Sequence, residues 1–90
     1  MENLLVHSFQ KNESEEIHFS LREYKNRHYL DLRLFFQPQG QREMVPSKKG
    51  ITVSVEFLPE LKRGLLKLEQ EIRQVLSNSE HGGGENGGSK

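Results

Sequence analysis

The stretch IHFSLREYKNRHYLDLRLFF, Ile17 to Phe36, decides the fold. In its first half Ile17, Phe19 and Leu21 alternate with His18, Ser20, Arg22 and Tyr24. A period of two gives one apolar and one polar face only if the chain is extended. Lys25 and Asn26 then form a turn, because Asn tolerates the positive φ that a tight hairpin demands. From Arg27 to Phe36 the alternation resumes, with Leu30, Leu32 and Leu34 on one side and Tyr29, Asp31, Arg33 and Phe35 on the other. Two such strands with one wet face predict an antiparallel hairpin.

Downstream, Gln37 to Gln41 reads as a loop from its Pro and Gly. Pro46 restricts Arg42 to Ser47 to a short edge or irregular strand, since proline cannot donate to a ladder. Lys48, Lys49 and Gly50 read as a turn into Ile51, Thr52 and Val53, whose β-branched side chains suit a pleated surface. Upstream, within an N-terminal segment 1–14, Leu4 to Phe9 reads as a short additional strand. After Ser54 the period changes. Leu58, Leu61, Leu65, Leu68, Ile72 and Val75 recur in steps of three and four, an apolar helical stripe. Its start lies either at Ser54 as N-cap or near Pro59, and Pro59 with Gly64 predicts a bend. The expected fold class is α+β: a curved four-stranded antiparallel sheet followed by one kinked C-terminal helix, with the domain at 15–77. Residues 78–90 read as a disordered Gly-rich tail, too polar to bury itself.

Ninety residues make one small domain, whose core supplies no more than about 3–5 kcal/mol. There is no cysteine, so disulfides and thiolate metal sites are excluded and a reducing compartment is expected. Oligomerisation remains, and Leu61, Leu65, Leu68 and Ile72 are the candidate homodimer seam, broadened by Leu66. No apolar run approaches the roughly 20 residues of a membrane span, and the first residues lack the pattern of a leader. A soluble, cytoplasmic chain is expected, nucleoid-associated in a bacterium or nuclear in a eukaryote. The formal net charge is zero, but it is segregated. Between Arg22 and Lys49 seven basic residues face three acidic ones, a net of plus four. Such a local field attracts polyanions.

The outer sheet face gathers Arg22, Tyr24, Lys25, Arg27 and Arg33, with Lys48 and Lys49 on the neighbouring connection. Cations track phosphates and aromatic rings stack unpaired bases for about 1–3 kcal/mol each, so the combination points to a groove for single-stranded nucleic acid. An ordinary solvated basic face accounts for the same residues, with Tyr24, Phe35 and Phe36 as core or interface rings, and the residues alone leave both readings open. Catalysis finds no constellation. His7, His18, His28 and His81 are scattered, and His28 and Asp31 fall on opposite strand faces. Lys48, Lys49, Gly50 and Ile51 lack the upstream glycine and downstream hydroxyl of a phosphate loop. No enzyme activity, metal or cofactor is expected.

Three motifs in order are familiar: Leu21 to Arg27, Leu30 to Arg33, and Met44 to Ile51. Together they resemble the transcriptional coactivator family called positive cofactor four, over about Ile17 to Ile72. The resemblance implies a dimer paired about a two-fold axis, whose curved sheets form grooves for single-stranded DNA, with RNA as an alternative strand and the transcription machinery as a further partner. It implies stacking roles for Tyr24 and Phe36, and backbone-contacting roles for Lys25, Arg27, Arg33, Lys48 and Lys49. Departures from the family pattern are Val45 in place of a lysine, Asn26 in place of a turn glycine and Phe36 in place of a tryptophan. Strict alternation also puts Phe36 on the inner face with Leu34, so its contact role requires a bulge or strong twist near the strand end. The Ser-rich arm of eukaryotic members is missing ahead of the domain, from which a bacterial or viral member is expected. The alternative function for the same sheet is an adaptor that docks an acidic protein of the transcription machinery.

Overall fold

The hairpin at Ile17–Phe36 is the centre of a larger sheet. The structure is a computed structural model that describes residues 2–82, with side chains over 3–78. Four strands, β1 (Glu2–Asn12), β2 (Glu15–Tyr24), β3 (Arg27–Phe36) and β4 (Val45–Ser54), lie in the order β1-β2-β3-β4, all neighbours antiparallel. A 3-10 turn, Val55–Phe57, and helix α1, Leu58–Gly82, follow. The α+β fold class is as expected, with a sheet that is open and not closed into a barrel.

The β2–β3 ladder runs without a break from Glu15↔Phe36 to Tyr24↔Arg27. Its turn holds Lys25 at φ 53° and Asn26 at φ 64°, the pair of positive angles a type I′ hairpin needs. The outer strands differ from the expected four. Leu4–Phe9 belongs to a full-length β1, and the two short strands expected after Arg42 are one strand, β4. Both differences have the same cause, which is extra residues in the outer strand. In β1, Leu5 pairs Ser20 and His7 pairs Phe19, so Val6 is a bulge, and Lys11 is a second one between Gln10 and Asn12. In β4, Gly50 pairs Arg33 while Pro46 pairs Phe35, which leaves Ser47, Lys48 and Lys49 opposite Leu34 alone. The expected turn at Lys48–Gly50 is therefore a bulge within β4. Ser47 closes it: its Oγ donates to the Leu34 carbonyl at 2.8 Å and accepts from the Lys49 N–H at 3.0 Å. Beyond it, a Cβ on Gly50 would clash with the Leu32 carbonyl oxygen and lie 2.8 Å from the Arg33 Cα. Only glycine permits that approach of the backbones.

Parity along the ladders puts Leu4, His7 and Phe9, Ile17, Phe19 and Leu21, Leu30, Leu32 and Leu34, and Ile51 and Val53 on one face. His7, Phe9 and Phe19 form a ring cluster there, with centroids 5.4–6.3 Å apart. Ser54 is extended at φ −60°, ψ 145° and makes no side-chain cap bond, so α1 starts at Leu58 with Pro59 in its first turn, where a missing N–H costs nothing. The change of helical type falls ahead of Pro59. α1 runs unbroken through Gly64 and past Ser77 to Gly82. The Gly-rich stretch 83–90 lies outside the described residues. The chain divides into two units, Met1–Leu58 with the sheet and Pro59–Lys90 with the helix.

Candidate nucleic-acid interface

The second face of the sheet is polar and aromatic. Successive cross-strand rows place Tyr24 beside Arg27, Arg22 beside Tyr29 and Ser54, Ser20 beside Asp31 and Thr52, His18 beside Arg33 and Gly50, and Glu16 beside Phe35 and Pro46. At the hairpin end Tyr24 is 50 % exposed, and Lys25 holds its ammonium 5.2 Å from the centre of the Tyr24 ring. That distance is within cation–π range. Lys25 and Arg27 are both exposed. Arg22, Tyr24, Tyr29 and Thr52 line an open cavity of 320 Å³.

In the middle of the face Arg33 is not a loose cation. Its Nε donates to Asp31 Oδ2 at 3.1 Å, and its Nη2 donates to Asp31 Oδ1 at 2.9 Å and to Thr52 Oγ1 at 3.0 Å. Its Nη1 donates to the Ser47 carbonyl at 3.1 Å, which ties the bulge to β3. Thr52 Oγ1 in turn donates to Asp31 Oδ1. Asp31, 4 % exposed, is the buried charge of this network. Burial alone would raise its carboxyl pKa, but the hydrogen bonds from Arg33 and Thr52 and the Arg33 and Arg22 charges outweigh it and hold the group below its ordinary range. The Asp31 bond raises the Arg33 pKa above its already high ordinary value. At the far end the His18 ring stacks on Phe35 with centroids 3.8 Å apart and planes 11° from parallel, and His18 Nε2 lies 2.9 Å from Glu16 Oε1. Among the described residues no three His, Asp or Glu side chains converge as a metal site. No described helix is long and apolar enough to cross a membrane.

Residues 11–64, more than half of the chain, match the family model described as Transcriptional Coactivator p15 (PC4). The chain belongs to the PC4 family. Among solved structures it is similar to the PC4 homologue of Burkholderia pseudomallei K96243. In the tetragonal crystal form of that protein the TM-score is 0.70 at 29% identity, over 76% of this chain and 98% of the other. In the orthorhombic form the TM-score is 0.68 at 31% identity, over 74% and 89%. The bacteriophage T5 homologue of the eukaryotic coactivator PC4, a protein implicated in recombination-dependent DNA replication, shares the fold. Its TM-score is 0.56 at 16% identity, over 93% of this chain and 97% of the other. No curated protein matches.

The PC4 motifs do not all converge on one face. Arg22, Tyr24, Lys25 and Arg27 come together at the hairpin end, and Arg33 shares their face but is bound to Asp31. Phe36 pairs Glu15 and Val45 and shares the parity of Leu34, so it stands on the apolar side. The bulge that was to reorient it exists, but in β4 and not in β3. The ring on the polar face at that end is Phe35. Lys48 is exposed in the bulge. Lys49 reaches the apolar side, where with Lys11 it borders an open cavity of 400 Å³ over Ile17, Leu32, Leu34 and Ile51. The Glu15 carboxyl nearby is held below its ordinary range by hydrogen bonds from Asn12 and then Lys11, and by the charges of Lys11 and Lys49, against some desolvation. On the helix, Leu61 is half-buried, while Leu65, Leu68 and Ile72 are each more than half exposed. Sequence reasoning left out two members of the polar face, Tyr29 and His18. The signal for both was the alternation already used, and what was missing was the ladder that sets Tyr29 opposite Arg22.

Proposed function

We propose that this PC4-family chain is a single-stranded DNA-binding protein of the coactivator type, working as a homodimer and without enzymatic activity. The observation that carries the reading is the hairpin end of the polar face, where Arg22, Tyr24, Lys25 and Arg27 put cations and an exposed ring within one hydrogen-bonded register. Rings serve a strand whose bases are unpaired, since a duplex hides base faces. Lys25, in the turn of the hairpin, adds its ammonium 5.2 Å from the centre of the Tyr24 ring. The proposed contacts are Tyr24 for stacking, and Arg22, Lys25, Arg27 and Lys48 for phosphates. Arg33 has the role of holding β3 to β4 beneath them. Phe36 and Lys49, on the other side of the sheet, are left out of this groove.

The test compares one fluorescent oligonucleotide, single-stranded and as its duplex, over a salt titration. The single strand should bind more tightly. Tyr24→Ala should weaken it by about 1–3 kcal/mol with little change of salt slope, because stacking releases no counterions. Lys25→Ala and Arg27→Ala should each reduce the slope of log K against log salt by roughly 0.7, with the loss independent of sequence. Equal affinity for strand and duplex, with slopes unmoved by either cation, would replace this reading with that of a generic polyanion surface.

A further inference from the structure

We infer that Tyr24 and Tyr29 form a clip that seats a single nucleobase between them, with Tyr29 a base-contacting residue in its own right. The inference rests on the single-strand reading above and deepens it. Tyr24 pairs Arg27 and Tyr29 pairs Arg22, which makes the two tyrosines diagonal neighbours on one face of the β2–β3 hairpin. Diagonal cross-strand positions stand about 7 Å apart. One planar ring in contact with a ring on each side needs about 3.5 Å twice over, so a diagonal pair has the spacing to admit one where its two rings face each other. The opening between them is the cavity lined by Arg22, Tyr24, Tyr29 and Thr52, whose exposed wall is almost wholly carbon. Its 320 Å³ lies at the lower end of the range of ligand pockets, about 300–1,000 Å³, and has room for one heteroaromatic ring.

The chemistry around the opening selects a base that carries a phosphate chain. Arg22 borders the cavity, Lys25 stands over the Tyr24 ring and Arg27 is the next cross-strand neighbour, so cations surround an apolar slot. An uncharged aromatic ring attached to an anionic backbone complements both parts. On the floor, the Thr52 hydroxyl donates to Asp31 and accepts from Arg33, so its hydrogen is committed and it offers no donor to a base edge. The floor thus adds no hydroxyl hydrogen to the slot, and the base is held chiefly by its flat faces.

The experiment uses the full chain and a thymidine-rich single-stranded oligonucleotide carrying one 5-iodouracil. Irradiation should cross-link it to Tyr24 and Tyr29 of the unmodified protein, read by peptide mass spectrometry. In parallel, Tyr29→Leu should lose about five- to a hundredfold in affinity with an unchanged salt slope, while Tyr29→Phe binds like the parent. Cross-links that avoid Tyr29, or a folded Tyr29→Leu that binds like the parent while Tyr24→Leu does not, would overturn the clip and leave the single-strand reading standing. A parent protein with no affinity for the single strand would overturn both.

Discussion

Asp31 is the residue on which the polar face depends, because its charge is buried and the network it forms with Arg33 joins β3 to β4 through three bonds, two at Thr52 and one at the Ser47 carbonyl. Removing one partner of such a pair leaves the other uncompensated, at about 3–5 kcal/mol when both are fully buried. The Arg33 side chain keeps 18% of its exposure, so Asp31→Asn should cost roughly 3 kcal/mol, the low end of that range. The pH dependence follows from the depressed carboxyl. A group with a lower pKa in the folded than in the unfolded chain contributes stability that is complete above its unfolded value, about 3.9, and is lost as pH falls through the folded one. Melting temperatures of the parent and Asp31→Asn should therefore differ most near neutral pH and converge as pH falls below about 4. A gap that stays constant into strong acid would remove the carboxylate from the account.

At the scale of elements, legibility divides along the bulges. The β2–β3 hairpin was readable in full because neither strand carries an extra residue and the apolar positions keep strict parity from Ile17 to Leu34. β1 was readable only as a fragment, since Val6 and Lys11 shift the apolar side chains from one parity to the other. β4 appeared as two pieces because Ser47, Lys48 and Lys49 interrupt its alternation, and Pro46 and Gly50 imitate turn residues. The same limit touched the candidate site: Tyr24, Lys25 and Arg27 are grouped by local spacing and lie together at the hairpin end, whereas the sides taken by Phe36 and Lys49 required the pairing. Two glycines make the contrast measurable. Gly50→Ala drives a methyl into the backbone of β3 and should destabilise by about 1–3 kcal/mol. At Gly64, inside α1, a methyl meets nothing within 4 Å, and Gly64→Ala should stabilise by about 1 kcal/mol through helix propensity. Urea midpoints of the two variants should move in opposite directions. A neutral Gly50→Ala would mean that β4 slides at no cost and that its register is not fixed by the close approach.

For the whole molecule the question is what completes the core. Among the described residues Leu34 is the single buried hydrophobic side chain, while Leu4, Phe9, Leu21 and Ile51 on the sheet and Leu65, Leu68, Ile72 and Val75 on the helix are all exposed. Each aliphatic or aromatic side chain fully buried contributes about 1.5–3 kcal/mol, so this chain alone forgoes most of what a domain of its size needs. A second copy offers the same surfaces, and a two-fold axis can pair them without leaving an open end. For the proposed homodimer folding and association are one equilibrium, in which stability depends on protein concentration. A tenfold dilution removes about 1.4 kcal/mol per dimer, and for roughly 180 residues unfolding together that lowers the melting temperature by about 3–6 °C. Sedimentation should give twice the chain mass, and Leu68→Glu, which sets a carboxylate in the stripe, should lower the melting temperature and shift the population toward monomer. A concentration-independent melting temperature with sedimentation at one chain mass would show that the exposed stripes are not a dimer seam, and would restrict the groove to a single sheet.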